Sequence, residues 1–268
     1  MKRILLTSVD YGLAFGVDRA LRGLVAEGRL SAVGCLVVSD LWSREYLPLR
    51  DCVDAAPHRT RVGVTLALTR PHAPLSVKGR SRFGEALPGR GWWRLRDALR
   101  LVPRDVLVDE VEAQLTCFEE YYQRPPDFLH VADELLALPR VAHVVLRTAS
   151  LRRHRPLIVT PRLRADGGVE ARFARRFRRF AERYTLRVLP RGPAFPDVAG
   201  AEAQQTHLRR GLAGVEDLAV VTCRPGTVDD RLRRLEPLAR QDVREAQLAF
   251  LSGEAFPLLL VETDTFLF

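Results

Sequence analysis

Residues 3–38 read RILLTSVDYGLAFGVDRALRGLVAEGRLSAVGCLVV, and two different periods meet in them. Residues 3–9 are an apolar-rich run of the kind that forms a buried strand. From Gly12 to Glu27 the pattern changes: Ala14, Val17, Ala20, Leu21 and Leu24 recur at helical spacing, and Gly28 follows as a C-cap. Residues 32–38 return to a short apolar run. A strand, a helix and a strand this close together form a β-α-β unit, whose crossover makes the two strands parallel.

The alternation continues outward. Residues 61–68 predict a third strand, and residues 105–122 a long amphipathic helix that Arg124-Pro125-Pro126 ends. FLHVADELL at 128–136 and LIVT at 157–160 read as strands, with a helix over 139–152 between them. A basic helix follows over 172–184. LRVLP at 186–190, LAVVTCRPG at 218–226 and LLLVETDTFL at 258–267 supply later strands, and residues 227–252 are helical in pattern. Residues 70–103 are dense in Pro and Gly and read as a loop-rich excursion. No linker interrupts the series. The expectation is one domain over residues 1–268, an α/β fold of mostly parallel strands, open or closed into a TIM-like β/α barrel.

Composition narrows the function classes. The chain has 268 residues, 47% of them hydrophobic, which suffices for a sizeable core. No apolar run approaches the ~20 residues of a bilayer span, and the longest, such as FPLLLV at 256–261, are strand-sized. The N-terminus lacks a long apolar region and meets Asp10 early, so the expected location is cytoplasmic. Cys35, Cys52, Cys117 and Cys223 form no C-x-x-C pair and read as reduced thiols. The net charge is +9, and Lys2 and Lys78 are the only lysines among 42 basic residues. Such an arginine skew suits a solvated surface, or contact with nucleic acid or another acidic partner. No P-loop, G-x-G-x-x-G or G-x-S-x-G motif is present.

In parallel α/β folds, ligands sit at the carboxyl ends of the strands. The polar residues just past the apolar runs are Ser8, Asp10 and Tyr11, then Ser39 and Asp40, Thr65 and Thr69, His130 to Glu134, Thr160 and Arg224. Several lie in recognisable strings: SVDYG at 8–12, GVDRA at 16–20, GVTLALT at 63–69, PPDFLHVADELLALP at 125–139 and CRPGTVDD at 223–230. In order, spacing and flanking residues this series resembles the YdjC-like carbohydrate deacetylases, which include chitooligosaccharide and hopanoid-associated deacetylases.

The resemblance implies a β/α barrel-like fold and hydrolysis of an N-acetyl group by water activated on a divalent metal, Zn or Mg. The family's metal-ligating aspartate falls on Asp10. Its aspartate base falls on Val9, and its histidines fall on Thr65, Ala132, Glu134, Leu136, Phe128 and Arg224. Of the metal and proton-transfer positions, Asp10 alone is kept. Alanine has no electron pair to offer, and a neutral threonine hydroxyl is a poor ligand. The expectation is therefore a divergent relative, a pseudoenzyme without the metal-dependent step or a metal cofactor. It would keep a cleft for a sugar-like or anionic ligand lined by Asp10, Tyr11, Thr65, His130, Glu134 and Arg224, and could form a homodimer.

Other readings stay open at this stage. If 128–136 is a strand, His130, Ala132 and Glu134 share a face. With Asp10 they would give one imidazole and two carboxylates, a rebuilt site for an active amide hydrolase. Asp10 could instead cap the following helix. Arg224 could bind an anion, or neutralise Asp10 in place of the lost cation. The helix at 172–184 sets Arg172, Arg175, Arg176, Arg178 and Arg179 against a Phe stripe, which reads as a solvated face over a core more readily than as a nucleic-acid surface. Trp92 and Trp93 could stack on a sugar or anchor the long excursion.

Overall fold

A computed structural model describes residues 2–163 and 167–268. Among these residues the strands are β1 (Lys2–Tyr11), β2 (Ala32–Cys35), β3 (Arg61–Leu66), β4 (Phe128–Val131), β5 (Leu157–Val159), β6 (Val188–Leu189), β7 (Arg191–Ala194), β8 (Ala219–Cys223) and β9 (Thr265–Leu267). The helices are α1 (Phe15–Ala26), α2 (Trp42–Ala55), α3 (Val77–Phe83), α4 (Arg90–Ala98), α5 (Arg104–Tyr122), α6 (Pro139–Ser150), α7 (Gly167–Glu182), α8 (Ala201–Ala213), α9 (Asp230–Leu235), α10 (Leu238–Ser252) and α11 (Ala255–Glu262), with a 3-10 turn over Ala132–Ala137. The fold is α/β and TIM-like, as expected. No helix of the described residues is long and apolar enough to cross a membrane.

The chain divides into two compact units: residues up to Leu36 with Asp40–Val62 and Pro190–Phe268, and Val37–Ser39 with Gly63–Leu189. In the first, β1 pairs in parallel with β2, β8 and β9, and β7 pairs in parallel with β8. Ile4, Leu5 and Leu6 are each exposed by 1% or less, so consecutive residues are buried and both faces of β1 are covered. That is why residues 3–9 show no alternation. In the second unit, β4 pairs in parallel with β3 and β5, and β5 with β6.

Two expectations are corrected and a third is filled in. The apolar run LLLV at 258–261 is helical: α11 covers it, and only Thr265–Leu267 is a strand. A short apolar run fits either element by pattern. Here Pro257 sits in the first turn, where a missing N–H costs nothing, and Phe256 and Leu259 are buried at helical spacing. The loop-rich excursion at 70–103 also holds two helices, α3, capped by the Ser76 hydroxyl accepting from the Gly79 N–H, and α4. The strand expected over 128–136 stops at Val131, and Asp133 and Glu134 adopt left-handed backbone with φ of 56° and 55°.

The basic helix is α7. Phe177 is buried, whereas Arg172, Arg175, Arg176, Arg178 and Arg179 are exposed, so the arginines form a solvated face. The four cysteines are free thiols, Cys35 and Cys223 buried and Cys52 and Cys117 half-buried.

Candidate functional site

In the first unit, the end of β1 and the loop after β8 meet through the strings that stood out in the sequence. The Gly16 N–H donates to Asp229 Oδ2 at 2.7 Å, and the Thr227 hydroxyl donates back to the Gly16 carbonyl at 2.9 Å. A Cβ on Gly16 would run into the Thr227 carbonyl, and one on Gly226 would press on Val17. Asp229 also caps α9 through Leu232 N at 2.7 Å. GVDRA and CRPGTVDD are thus two halves of one junction, and glycine stands in each where the other half needs the space.

Asp10 lies beside this junction, and its side chain is 14% exposed. It does not cap α1, whose N-cap Ala14 makes no side-chain bond. Instead its Oδ2 accepts from Arg244 Nη2 at 2.7 Å. Arg244, on α10, is 3% exposed and also donates through Nε and Nη2 to Glu236 at 2.7 and 2.8 Å. Burial alone would lower the pKa of this guanidinium, but Asp10 and Glu236 hold it above its ordinary value. Arg224 is secondary: its Nε lies 3.8 Å from the same Asp10 oxygen, its side chain is 52% exposed, and its N–H donates to Gln247 Oε1 at 2.6 Å. The neutralising arginine expected at 224 is therefore chiefly Arg244.

Arg244, Glu236 and Gln247 escaped the sequence reading. One signal could have found two of them. Gln241, Arg244 and Gln247 recur at i, i+3 and i+6, one helical face, and are buried at 7%, 2% and 2% exposure. A buried polar stripe needs partners.

Tyr11 does not line a cleft. It is fully buried, donates to the Glu45 carbonyl at 2.8 Å and accepts from Arg22 Nη1 at 2.7 Å. Burial, then the nearby Asp18, pushes its hydroxyl well above the usual range. Asp18 in turn accepts from the Gly12 N–H at 2.6 Å and is fully buried. Burial raises its carboxyl to about 8, partly offset by the Gly12 bond.

The second unit holds Thr65, His130, Ala132 and Glu134. Thr65 and His130 are register partners on β3 and β4, and both are buried. The Thr65 hydroxyl has no hydrogen-bond partner among the described residues. Glu134 does not share a strand face with His130. The strand has ended, and Glu134 Oε2 accepts from the Arg162 N–H at 2.6 Å. Asp133 accepts from the Thr69 hydroxyl. The alternation required by a rebuilt His130–Glu134 set is absent, because two left-handed residues turn the chain. Trp93 is anchoring rather than open for stacking: it is 1% exposed, and its Nε1–H donates to the Leu68 carbonyl at 2.7 Å.

These donors do not suit a divalent cation. Asp10 already faces a buried positive charge, and a second cation beside Arg244 would be repelled. Among the described residues, no three His, Cys, Asp or Glu side chains gather where they could hold a metal ion.

Comparison with known proteins gives the following. No curated protein matches the chain. A solved Enterococcus faecalis V583 structure, described as "a putative cellobiose-phosphate cleavage protein", superposes with a TM-score of 0.74 at 15% identity, covering 100% of this chain and 97% of its own. That likeness carries the fold. The YdjC-like protein family model matches residues 3–262, so nearly the whole chain is accounted for and it belongs to the YdjC-like family.

Proposed function

We propose that this chain is a YdjC-like protein that binds a saccharide carrying an anionic group, and that Arg244 stands in for the divalent cation beside Asp10. The observation that carries the reading is the buried ion pair at 2.7 Å between Asp10 and Arg244. An arginine restores the charge balance that a lost cation upsets, and it does so without an open coordination position for water. The hydrolytic step of the deacetylases then has neither an activated water nor a base, since Val9 stands at the base position.

Arg224 gives the cleft its ligand preference. Its side chain is half exposed, and its guanidinium is only loosely matched by Asp10 at 3.8 Å. A planar guanidinium free to turn outward suits a carboxylate or phosphate. The name of the structural neighbour, which joins a disaccharide to a phosphate, supports the same chemical class.

The test has two arms. Protein equilibrated with zinc and dialysed should retain well under one equivalent of metal and release no acetate from a chitooligosaccharide. Calorimetry should show binding of cellobiose phosphate that Arg224→Ala weakens, with neutral cellobiose binding less. A stoichiometric metal lost in Asp10→Ala, together with acetate release, overturns the reading.

A further inference from the structure

The helix α4 and the residues after it leave apolar side chains in water. Leu95 and Leu99 are each 57% exposed and Leu101 is 54% exposed. Leu95 and Leu99 are four apart, and Trp92, half-buried, lies three before Leu95 on the same face. The flanking charges have one sign: residues 90–104 hold Arg90, Arg94, Arg96, Arg100 and Arg104, and the one acid among them, Asp97, is 5% exposed.

This exposure does not come from a loosely held helix. On its inner side Trp93 is pinned to the Leu68 carbonyl at 2.7 Å. Asp97 Oδ1 accepts from the Arg140 and Val141 N–H groups at 2.7 and 3.3 Å, which fastens α4 to the first turn of α6. Phe83 packs edge-on against Trp92 at 5.5 Å, and the Arg96 guanidinium lies 5.2 Å over the Trp92 ring. The segment is held firmly from within while its leucines face outward.

We infer that the α4 face, Leu95, Leu99 and Leu101 amid Arg90, Arg94, Arg100 and Arg104, docks on an anionic lipid surface. Apolar side chains ringed by guanidinium groups match the boundary between acyl chains and negative headgroups. Tryptophan at the edge suits that boundary as well, since its ring is apolar and its N–H polar. A nucleic-acid surface would use the arginines but offers nothing to three exposed leucines. A basic face without such leucines, as on α7, lacks the second half of the match.

The full chain can be sedimented with vesicles of phosphatidylcholine, with and without phosphatidylglycerol, over a salt series. Binding is expected only with the anionic lipid and should weaken as salt rises. The Leu95→Ser/Leu99→Ser variant, shown folded by circular dichroism, should bind about tenfold more weakly. Should it misfold, Leu101→Ser carries the same test with a smaller loss. Arg175→Ala/Arg179→Ala on α7 should bind as the parent does. The inference is overturned if anionic vesicles do not sediment the parent, or if the leucine variants bind unchanged. It is equally overturned if the α7 variant loses as much, or if the parent is retained on duplex DNA but not on vesicles.

Discussion

Asp10, near the end of β1, and Glu134, just past β4, are both carboxylates at the carboxyl end of a parallel strand, one in each compact unit. Asp10 is matched by a guanidinium from 234 positions away, which itself holds a second carboxylate. Glu134 accepts from the backbone N–H of Arg162, 28 positions away. A guanidinium supplies a full charge inside the protein, whereas a peptide N–H supplies a dipole. The first arrangement sets a buried full positive charge against Asp10. The second fixes a turn. Two carboxylates at like positions in the sheet thus meet different partners.

Variants should separate the two roles. Arg244→Ala takes the nearer guanidinium away from Asp10 and the bidentate one away from Glu236, both nearly buried, and we expect a loss of about 3–5 kcal/mol in urea denaturation. A loss under about 1 kcal/mol would show that the pair does not hold this unit together. Asp18→Asn sharpens the contrast from the same unit. The Asp18 carboxyl, raised to about 8, takes up protons on folding between about pH 4 and 8. Its contribution is full below pH 4 and is lost as pH rises through 8. An asparagine keeps the acceptor for Gly12 without that dependence. The variant should gain on the order of 3 kcal/mol at pH 7, and its melting temperature should fall less between pH 5 and 8 than the parent's. A parallel fall in both proteins would remove Asp18 as the source.

Gly16→Ala tests the junction of the two sequence strings. The added methyl meets the Thr227 carbonyl, and about 1–3 kcal/mol should be lost, visible as a lower denaturation midpoint. Glu134→Gln should do least. An amide oxygen still accepts from Arg162 N–H, so a change below about 1 kcal/mol is expected, and a larger one would show that the charge at 134 matters after all.

Much of the architecture was legible because hydrophobic period reports local geometry. The 3.6 period gave α1, α5 and α6, and unbroken apolar runs gave β1 and β8. It failed where a run was short enough to suit either element, as at 258–261, and where two left-handed residues ended β4 inside an apolar stretch. The family strings located Asp10, Gly16 and Asp229, but their roles were hidden, since each depends on a residue far along the chain.

The alternation of strands and helices along most of the chain and the parallel class were legible in the sequence alone, since local pattern suffices for them. Which arginine faces Asp10, that the Tyr11 hydroxyl is buried against Glu45 and Arg22, and that Leu95 and Leu99 stand in water were decided only by the tertiary structure. Burial and charge pairing are properties of what surrounds a side chain, and residues 234 positions apart become neighbours only when the chain folds.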